Sequence, residues 1–427
     1  MKLTELDLGD PLKLPDEGLV NVIKTVLTGL EPVKGDYLAS IERNKQQFER
    51  FISPGKTLTA NHPSFLSVLR RWNSYTPALA TEDNHPKGGG YFIHHKGVGV
   101  VIDPGYNFLQ NFFEQDLKLD DIDAILVTHA HNDHTVELES IFSLLFKRNK
   151  DRTPDQWKRV DLYLNLGSFK KFAAYFDLSY DNYPTYVRNI VLLDSHNEYR
   201  IPKEEFVNRD NNIDITLYTT KTQHHEMITS RYALGFIIKC GETVLRFTGD
   251  TGWNDSVEKE NRSFMQSKQI EEIRILVPHL GSIREEEFTF DFDKGIKENI
   301  ADKKFYKWHL GILGSICMIH QHKPDLVVFS EFGEELKDIR KGLIEKISAA
   351  MDIPCLPGDI GFHVKLDDLS IFCAKKGEFV PHNEIEYFRV KDNLIYIGSN
   401  SFEPGERADK NDSAQKCDIK QLGQCLQ

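Results

Sequence analysis

No stretch of this 427-residue chain is long and apolar enough to read as a membrane span, and none of its six cysteines forms a Cys-x-x-Cys pair. Cys240, Cys317, Cys355, Cys373, Cys417 and Cys425 are scattered. That argues against a disulfide scaffold or a cysteine-built zinc ribbon and suits a reduced, cytoplasmic protein. Positive charge is also short: 53 Lys and Arg stand against 65 Asp and Glu, a formal net charge of -12. A protein whose work is to coat nucleic acid needs dense cations for counterion release, so that class is disfavoured, although a local basic groove stays open. The opening MKLTELDLGDPLKLP carries acids and prolines where a signal peptide would have its apolar core. Neither a Gly/Ser-rich linker nor a repeat of fixed period divides the chain.

What is present falls into three textures. Leu19, Val20, Ile23, Val26, Leu27 and Leu30 recur at helical spacing, as do Leu38, Ile41, Phe48 and Ile52, then Phe65, Leu66, Val68, Leu69 and Trp72. Residues 1–87 are therefore expected to be a helical extension packed on the main domain. From Gly88 short apolar runs such as GGGYFIHH, GVGVVIDPG, DAILVTH, VDLYLN and IDITLYTT read as strands, YALGFIIKCGETVLRFTGDTG reads as a hairpin turning at CGET, and HLGILGSICMIHQH reads as a helix. Strands and helices alternating through residues 88–398 predict a layered α/β domain. Residues 399–427 are polar and aperiodic, the pattern of a mobile tail.

LVTHAHNDH, Leu126 to His134, places His129, His131, Asp133 and His134 directly after an aliphatic run. Neutral imidazoles and carboxylates are the common ligands of zinc and related divalent ions. His-x-His on an extended loop lets two rings converge on one ion. Asp133 and His134, at the start of the next helix, can face a second ion.

This HxHxDH cluster resembles motif 2 of the metallo-β-lactamase superfamily, and other motifs of that family come after it in order. VVIDPG supplies Asp103, which the resemblance makes a structural organiser of the metal loop. TKTQHHEMITSRYALGFII supplies His224 or His225 as the motif 3 ligand, with the Gln-His spelling and the distance to Gly235-Phe236 favouring His224. LRFTGDTGW supplies Asp250 as the carboxylate bridging both metals. The late strand DLVVFSEFGEE lacks the expected histidine; Glu331 stands there and is read as an oxygen ligand, with His363 a remoter substitute. His309 resembles the histidine that ribonuclease Z and ribonuclease J relatives carry at a helix start, and His279 ends the strand after Asp250.

The resemblance, over roughly residues 88–374, implies a four-layer αβ/βα sandwich holding two divalent metal ions, zinc first, with manganese or iron as alternatives. Its expected ligands are His129, His131, Asp133, His134, His224, Asp250 and Glu331. It implies a metal-dependent hydrolase whose nucleophile is a metal-bridged hydroxide, with Asp133 and His309 as catalytic residues. The favoured substrate is a nucleotide or RNA-type phosphodiester, which makes the chain a phosphodiesterase or nuclease. An ester, lactone or thioester hydrolase on the same site, or a non-hydrolytic di-iron protein, is the alternative. The interval from Asp250 to His309 is too short for a β-CASP insertion. RNKDRTPDQWKR, residues 148–159, is expected to form a basic patch near the site, and SIREEEFTFDFDKGIKENIADKKF a solvated loop or a substrate lid.

Overall fold

The computed structural model describes residues 16–73, 88–176, 186–202, 214–226, 233–270, 272–336, 339–373, 378–390 and 393–398. The expected tail at 399–427 lies outside the described residues. Two compact units emerge, residues 1–53 and 54–427. In the first, helices Asp16–Leu30 and Lys34–Ile52 are joined by a 3-10 turn, Glu31–Val33. Pro32, which has no N–H to donate, occupies that turn and accounts for the change of helix type.

The second unit is built on two sheets. β1 (Phe65–Val68), β2 (Tyr91–His95), β3 (Val98–Ile102), β4 (Ala124–Val127), β5 (Val160–Asn165) and β6 (Val187–Leu193) lie side by side in that order. The chain then builds the second sheet from β7 (Glu198–Ile201), β8 (Ile215–Lys221), β9 (Leu234–Cys240), β10 (Thr243–Phe247), β11 (Ile275–Val277), β12 (His279–Gly281), β13 (Leu326–Phe332) and β14 (Cys355–Pro357). Finally β15 (Phe362–Lys365), β16 (Ile371–Cys373) and β17 (Glu378–Val380) return to the first sheet beside β1. Leu66, Ile102, Leu126, Phe236, Phe247 and Val328 fill the space between the sheets. Phe108, Phe112, Ile141 and Leu145 pack the helices Phe108–Glu114 and Leu138–Asn149 on the outside of the first sheet. Met318, Ile319, Ile344 and Ile347 do the same for Gly311–His322 and Arg340–Met351 on the second. Helix, sheet, sheet, helix is the αβ/βα sandwich.

The helical spacing over Phe65 to Trp72 proved misleading, because Phe65–Val68 is a strand. β1 is hydrogen-bonded between β2 and β15, and all four of its residues are buried. A strand covered on both faces reads as a near-continuous apolar run, interrupted here by Ser67, and such a run satisfies helical and strand spacings alike. β4 shows the same signature, AILV buried throughout and parallel to both β3 and β5. The basic stretch at 148–159 is not near the site. Lys158 bonds Asp123 at 2.8 Å, just before β4, whereas the histidine loop leaves β4 at its other end. Arg148 is likewise engaged with Asp120 at 2.8 Å.

Candidate metal centre

The ends of β3, β4, β8, β10, β11 and β13 bring the titratable residues together, as expected of sheets whose sites lie beyond the carboxyl ends of their strands. Asp103 comes directly after β3 and takes a φ of +50°. Its Oδ1 accepts from the Thr128 amide at 2.8 Å, and its Oδ2 accepts from the Thr128 hydroxyl at 2.6 Å and from His134 Nδ1 at 2.9 Å. One carboxylate thus ties the end of β3 to the entire loop after β4. Gly105, two residues on, is required by close approach: a Cβ there would lie 1.8 Å from the Asp133 carbonyl oxygen.

Three overlapping groups of side chains result: His129, His131, His224 and Asp250; Asp133, His134 and Glu331; and Asp250, His279 and Glu331. Within each group the ligand atoms lie within 4.8 Å of one another. His131 Nδ1 is 3.0 Å from His129 Nε2 and 3.2 Å from His224 Nε2. Asp250 Oδ2 is 3.8 Å from His129, 3.6 Å from His224 and 3.7 Å from His134. Its other oxygen is 3.2 Å from His279 Nδ1, which lies equally 3.2 Å from Glu331 Oε1. Asp250 therefore stands where the groups meet.

The outer nitrogens reveal what the inner ones carry. His129 Nδ1 faces the Thr128 hydroxyl at 3.1 Å, which already donates to Asp103. His134 Nδ1 donates to Asp103, and His224 Nδ1 to the Trp308 carbonyl at 3.2 Å. Tyr91 gives its one proton to Ser330 Oγ at 2.7 Å, so at 3.3 Å it accepts from His279 Nε2. With the outer nitrogens donating, the inner nitrogens of His129, His224 and His279 present lone pairs to one another and to carboxylates. Such an arrangement is repulsive unless cations lie between them, and outer hydrogen bonds of this kind are the usual companions of metal-ligating histidines.

The proton affinities agree. Burial holds His129 well below the ordinary imidazole value. It also takes His131 down to about 4, helped by neighbouring His224 and His134, so these lone pairs meet little competition from protons. His134 differs: against the pull of burial, Asp133 and Asp103 hold it well above its ordinary value. In that group a cation would take the place of the His134 proton. Asp133 and Asp250, although burial favours their neutral forms, are held well below the carboxylate range by the surrounding histidines. His134 Nε2 and Glu331 Oε2 are buried without hydrogen-bond partners, as expected of atoms meant for a metal, while Glu331 Oε1 pairs with Arg70. The donor set fits a di-metal cofactor, with one nitrogen-rich and one carboxylate-rich position.

Of the residues singled out from sequence, His129, His131, Asp133, His134, His224, Asp250 and Glu331 all come together here. His225 instead points outward and lies tilted against Trp308, ring centres 4.2 Å apart. His309 stands at the mouth, its Nδ1 4.0 Å from Asp250 Oδ2 and without a hydrogen-bond partner. Gly281 makes room for it: its φ is +72°, and a Cβ there would meet the His309 Cβ at 2.6 Å. His363 takes no part; it lies on β15 against Phe65 and Phe372 and bonds Gln115 at 3.1 Å. Sequence reasoning missed Arg70. It lies just beyond β1, is buried, pairs with Glu331 and donates to the Asp133 carbonyl oxygen. An Arg-Arg pair inside the apolar FLSVLRRW was the available signal.

Residues 99–279 match a family model described as Beta-lactamase superfamily domain. Ribonuclease Z from Streptomyces coelicolor is 29% identical over 72 residues, which are 17% of this chain and 23% of that protein. The chain thus spans less than a quarter of the curated relative it matches. Among solved structures, the metallo-beta-lactamase fold protein YhfI from Bacillus subtilis is similar over 70% of this chain and 98% of its own, at 13% identity and a TM-score of 0.49. Human tRNase Z, short form, is similar over 71% of this chain and 99% of its own, at 14% identity and a TM-score of 0.44.

Proposed function

We propose, for a chain that belongs to the metallo-β-lactamase superfamily and carries a metal-dependent hydrolase site, that the substrate is a phosphodiester of the nucleotide or RNA type. The observation that carries this reading is the meeting of the ligand groups at Asp250 with unpartnered His309 beside it. Two cations sharing a carboxylate would supply a nucleophile from water at neutral pH and a clamp for the charge that gathers on phosphoryl oxygens. The short match to ribonuclease Z supports the same substrate class.

The residues divide the remaining work. His129, His131, His224 and Asp250 would hold one ion; Asp133, His134 and Glu331, with Asp250 and His279 adjoining, would hold the other. Asp133, kept ionised by His134, accepts a hydrogen bond from the attacking water and orients it. His309, pushed below the ordinary imidazole range by burial, is neutral at pH 7 and donates its N–H to the oxygen that leaves phosphorus. The water oxygen bonds to phosphorus as its proton passes to Asp133, and the phosphorus–oxygen ester bond breaks. The departing alkoxide takes the His309 N–H proton while the other imidazole nitrogen takes up a proton from solvent, so the ring stays neutral.

Zinc suits the nitrogen-rich position, while Asp133, Asp250 and Glu331 give the other enough oxygen for manganese or iron. That oxygen content is the one observation favouring a second reading, a di-iron protein that does not hydrolyse its substrate. Cys240, Cys317 and Cys355 are free thiols, which supports a cytoplasmic location. Among the described residues no helix is long and apolar enough to cross a membrane. The test is turnover of bis-p-nitrophenyl phosphate, a lactone and a thioester by protein loaded separately with zinc, manganese or iron. Cleavage of the diester, lost in Asp250→Ala, is expected. Ester or lactone turnover with no diester cleavage under any metal would overturn the phosphodiester assignment.

A further inference from the structure

Apolar residues exposed to solvent are concentrated in the first compact unit. Among the described residues, twelve of the eighteen large exposed ones lie between Leu19 and Phe51. Of the described side chains on helices Asp16–Leu30 and Lys34–Ile52, only Ile52 is buried. The two helices do not lie against each other. Helices of 15 and 19 residues draw most of their stability from packing an apolar face. Faces left open over both of them call for a partner.

The pattern on those faces says what kind of partner. On Lys34–Ile52, the exposed Leu38, Ile41, Lys45 and Phe48 alternate steps of three and four, the spacing of a helix–helix seam. Leu19, Ile23, Val26 and Leu30 keep the same spacing on Asp16–Leu30. There Val20 and Leu27 widen the seam into the broad stripe of a helix with two neighbours. The twelve side chains, each about half exposed, offer on the order of 700 Å² per copy, close to the ~800 Å² per partner of a standard stable interface.

A lipid surface is the other common occupant of an exposed amphipathic helix. Helices that lie on membranes carry Lys and Arg in excess on the polar face, to meet anionic headgroups. Residues 16–52 hold five Lys and Arg against six Asp and Glu, so the excess is missing. Lys45 moreover stands within the apolar face, between Ile41 and Phe48, and not on the polar one. Charge therefore favours protein over lipid.

We propose that residues 16–52 are a dimerisation element, and that the occupant of their apolar faces is the same segment of a second copy of this chain. Two copies bring four helices together, which gives the broad stripe of Asp16–Leu30 the neighbours it needs. Lys45 is the one charge in the seam of Lys34–Ile52. Glu42 and Glu49, each one residue after a seam position, border that seam and offer its ammonium group a carboxylate from either copy. A single polar residue in a seam fixes register at a cost in stability, and Lys45 has that role here.

Sedimentation equilibrium of the metal-loaded full chain over a concentration series tests this. The expected mass is twice the 49.2 kDa of one chain. Ile41→Glu puts a charge into the seam once per copy and should weaken association at least a hundredfold. Arg43→Glu, on the opposite face of the same helix, should leave it unchanged. Lys45→Leu should tighten it at least tenfold, a gain that a misfolded variant would not give. All three positions are exposed. The proposal is overturned if the chain is monomeric at its highest soluble concentration, or if a dimer survives Ile41→Glu with its affinity intact. A monomer that floats with vesicles of phosphatidylcholine and phosphatidylglycerol, and no longer does so as Ile41→Glu, would give the face to lipid instead.

Discussion

Arg70 and Glu331 form an ion pair with both side chains wholly out of contact with solvent. Glu331 takes a φ of +54°, an unfavourable setting for a residue with a Cβ, on the strand where the family motif predicts a histidine. In metal-free protein Arg70 is the cation that balances this carboxylate; with a divalent ion at Glu331, two cations share it. Arg70→Met should therefore cost about 3–5 kcal/mol without metal, where a lone buried charge is left, and distinctly less with it. Thermal unfolding in chelator and in saturating zinc measures the two losses. Equal losses would mean that Glu331 binds no metal.

Adjacent His224 and His225 give a clean contrast. His224→Ala removes an inward lone pair and should weaken metal binding by at least the ~100-fold that loss of an outer partner costs. His225→Ala removes only the ring lying against Trp308 and should leave metal content unchanged. Metal analysis after dialysis against graded chelator reads both. Equal retention by the two variants would move the ligand assignment off His224.

His309→Ala should keep its metal, since His309 belongs to none of the three ligand groups. If His309 supplies the leaving-group proton, kcat on an alkyl phosphodiester should fall about 10²–10⁴-fold. Bis-p-nitrophenyl phosphate, whose leaving group needs no proton, should lose much less. Equal losses on both substrates would assign His309 to charge stabilisation rather than to proton transfer.

How far the sequence reached varied with the kind of feature. The loop after β4 and the Gly-Asp-Thr-Gly turn were legible because their chemistry is compressed into a few consecutive residues. Glu331 was legible only as a gap in an expected pattern. Arg70 was not, since its meaning comes from pairing with a residue 261 positions away. The same limit hid the acceptors that orient the histidines: Thr128 and Asp103 adjoin the motif, but the Trp308 carbonyl and Tyr91 come from distant elements. β1 was misread because a strand buried on both faces loses its period.

His363 offers a test that does not involve the metal. Burial holds it neutral, with its pKa down at about 3 against an ordinary 6.5. The unfolded chain therefore takes up this proton first as pH falls, and the contribution, complete above pH 6.5, is lost progressively between 6.5 and about 3. The slope is about 1.4 kcal/mol per pH unit. His363→Gln keeps a donor for Gln115 but cannot titrate. Other buried histidines, including His322, add slopes of their own, so the quantity to measure is the wild-type value minus that of the variant. Between pH 7 and pH 5 the wild type should lose about 2 kcal/mol more than His363→Gln in urea unfolding. Parallel pH profiles would show that His363 is protonated as readily in the folded chain as in the unfolded one.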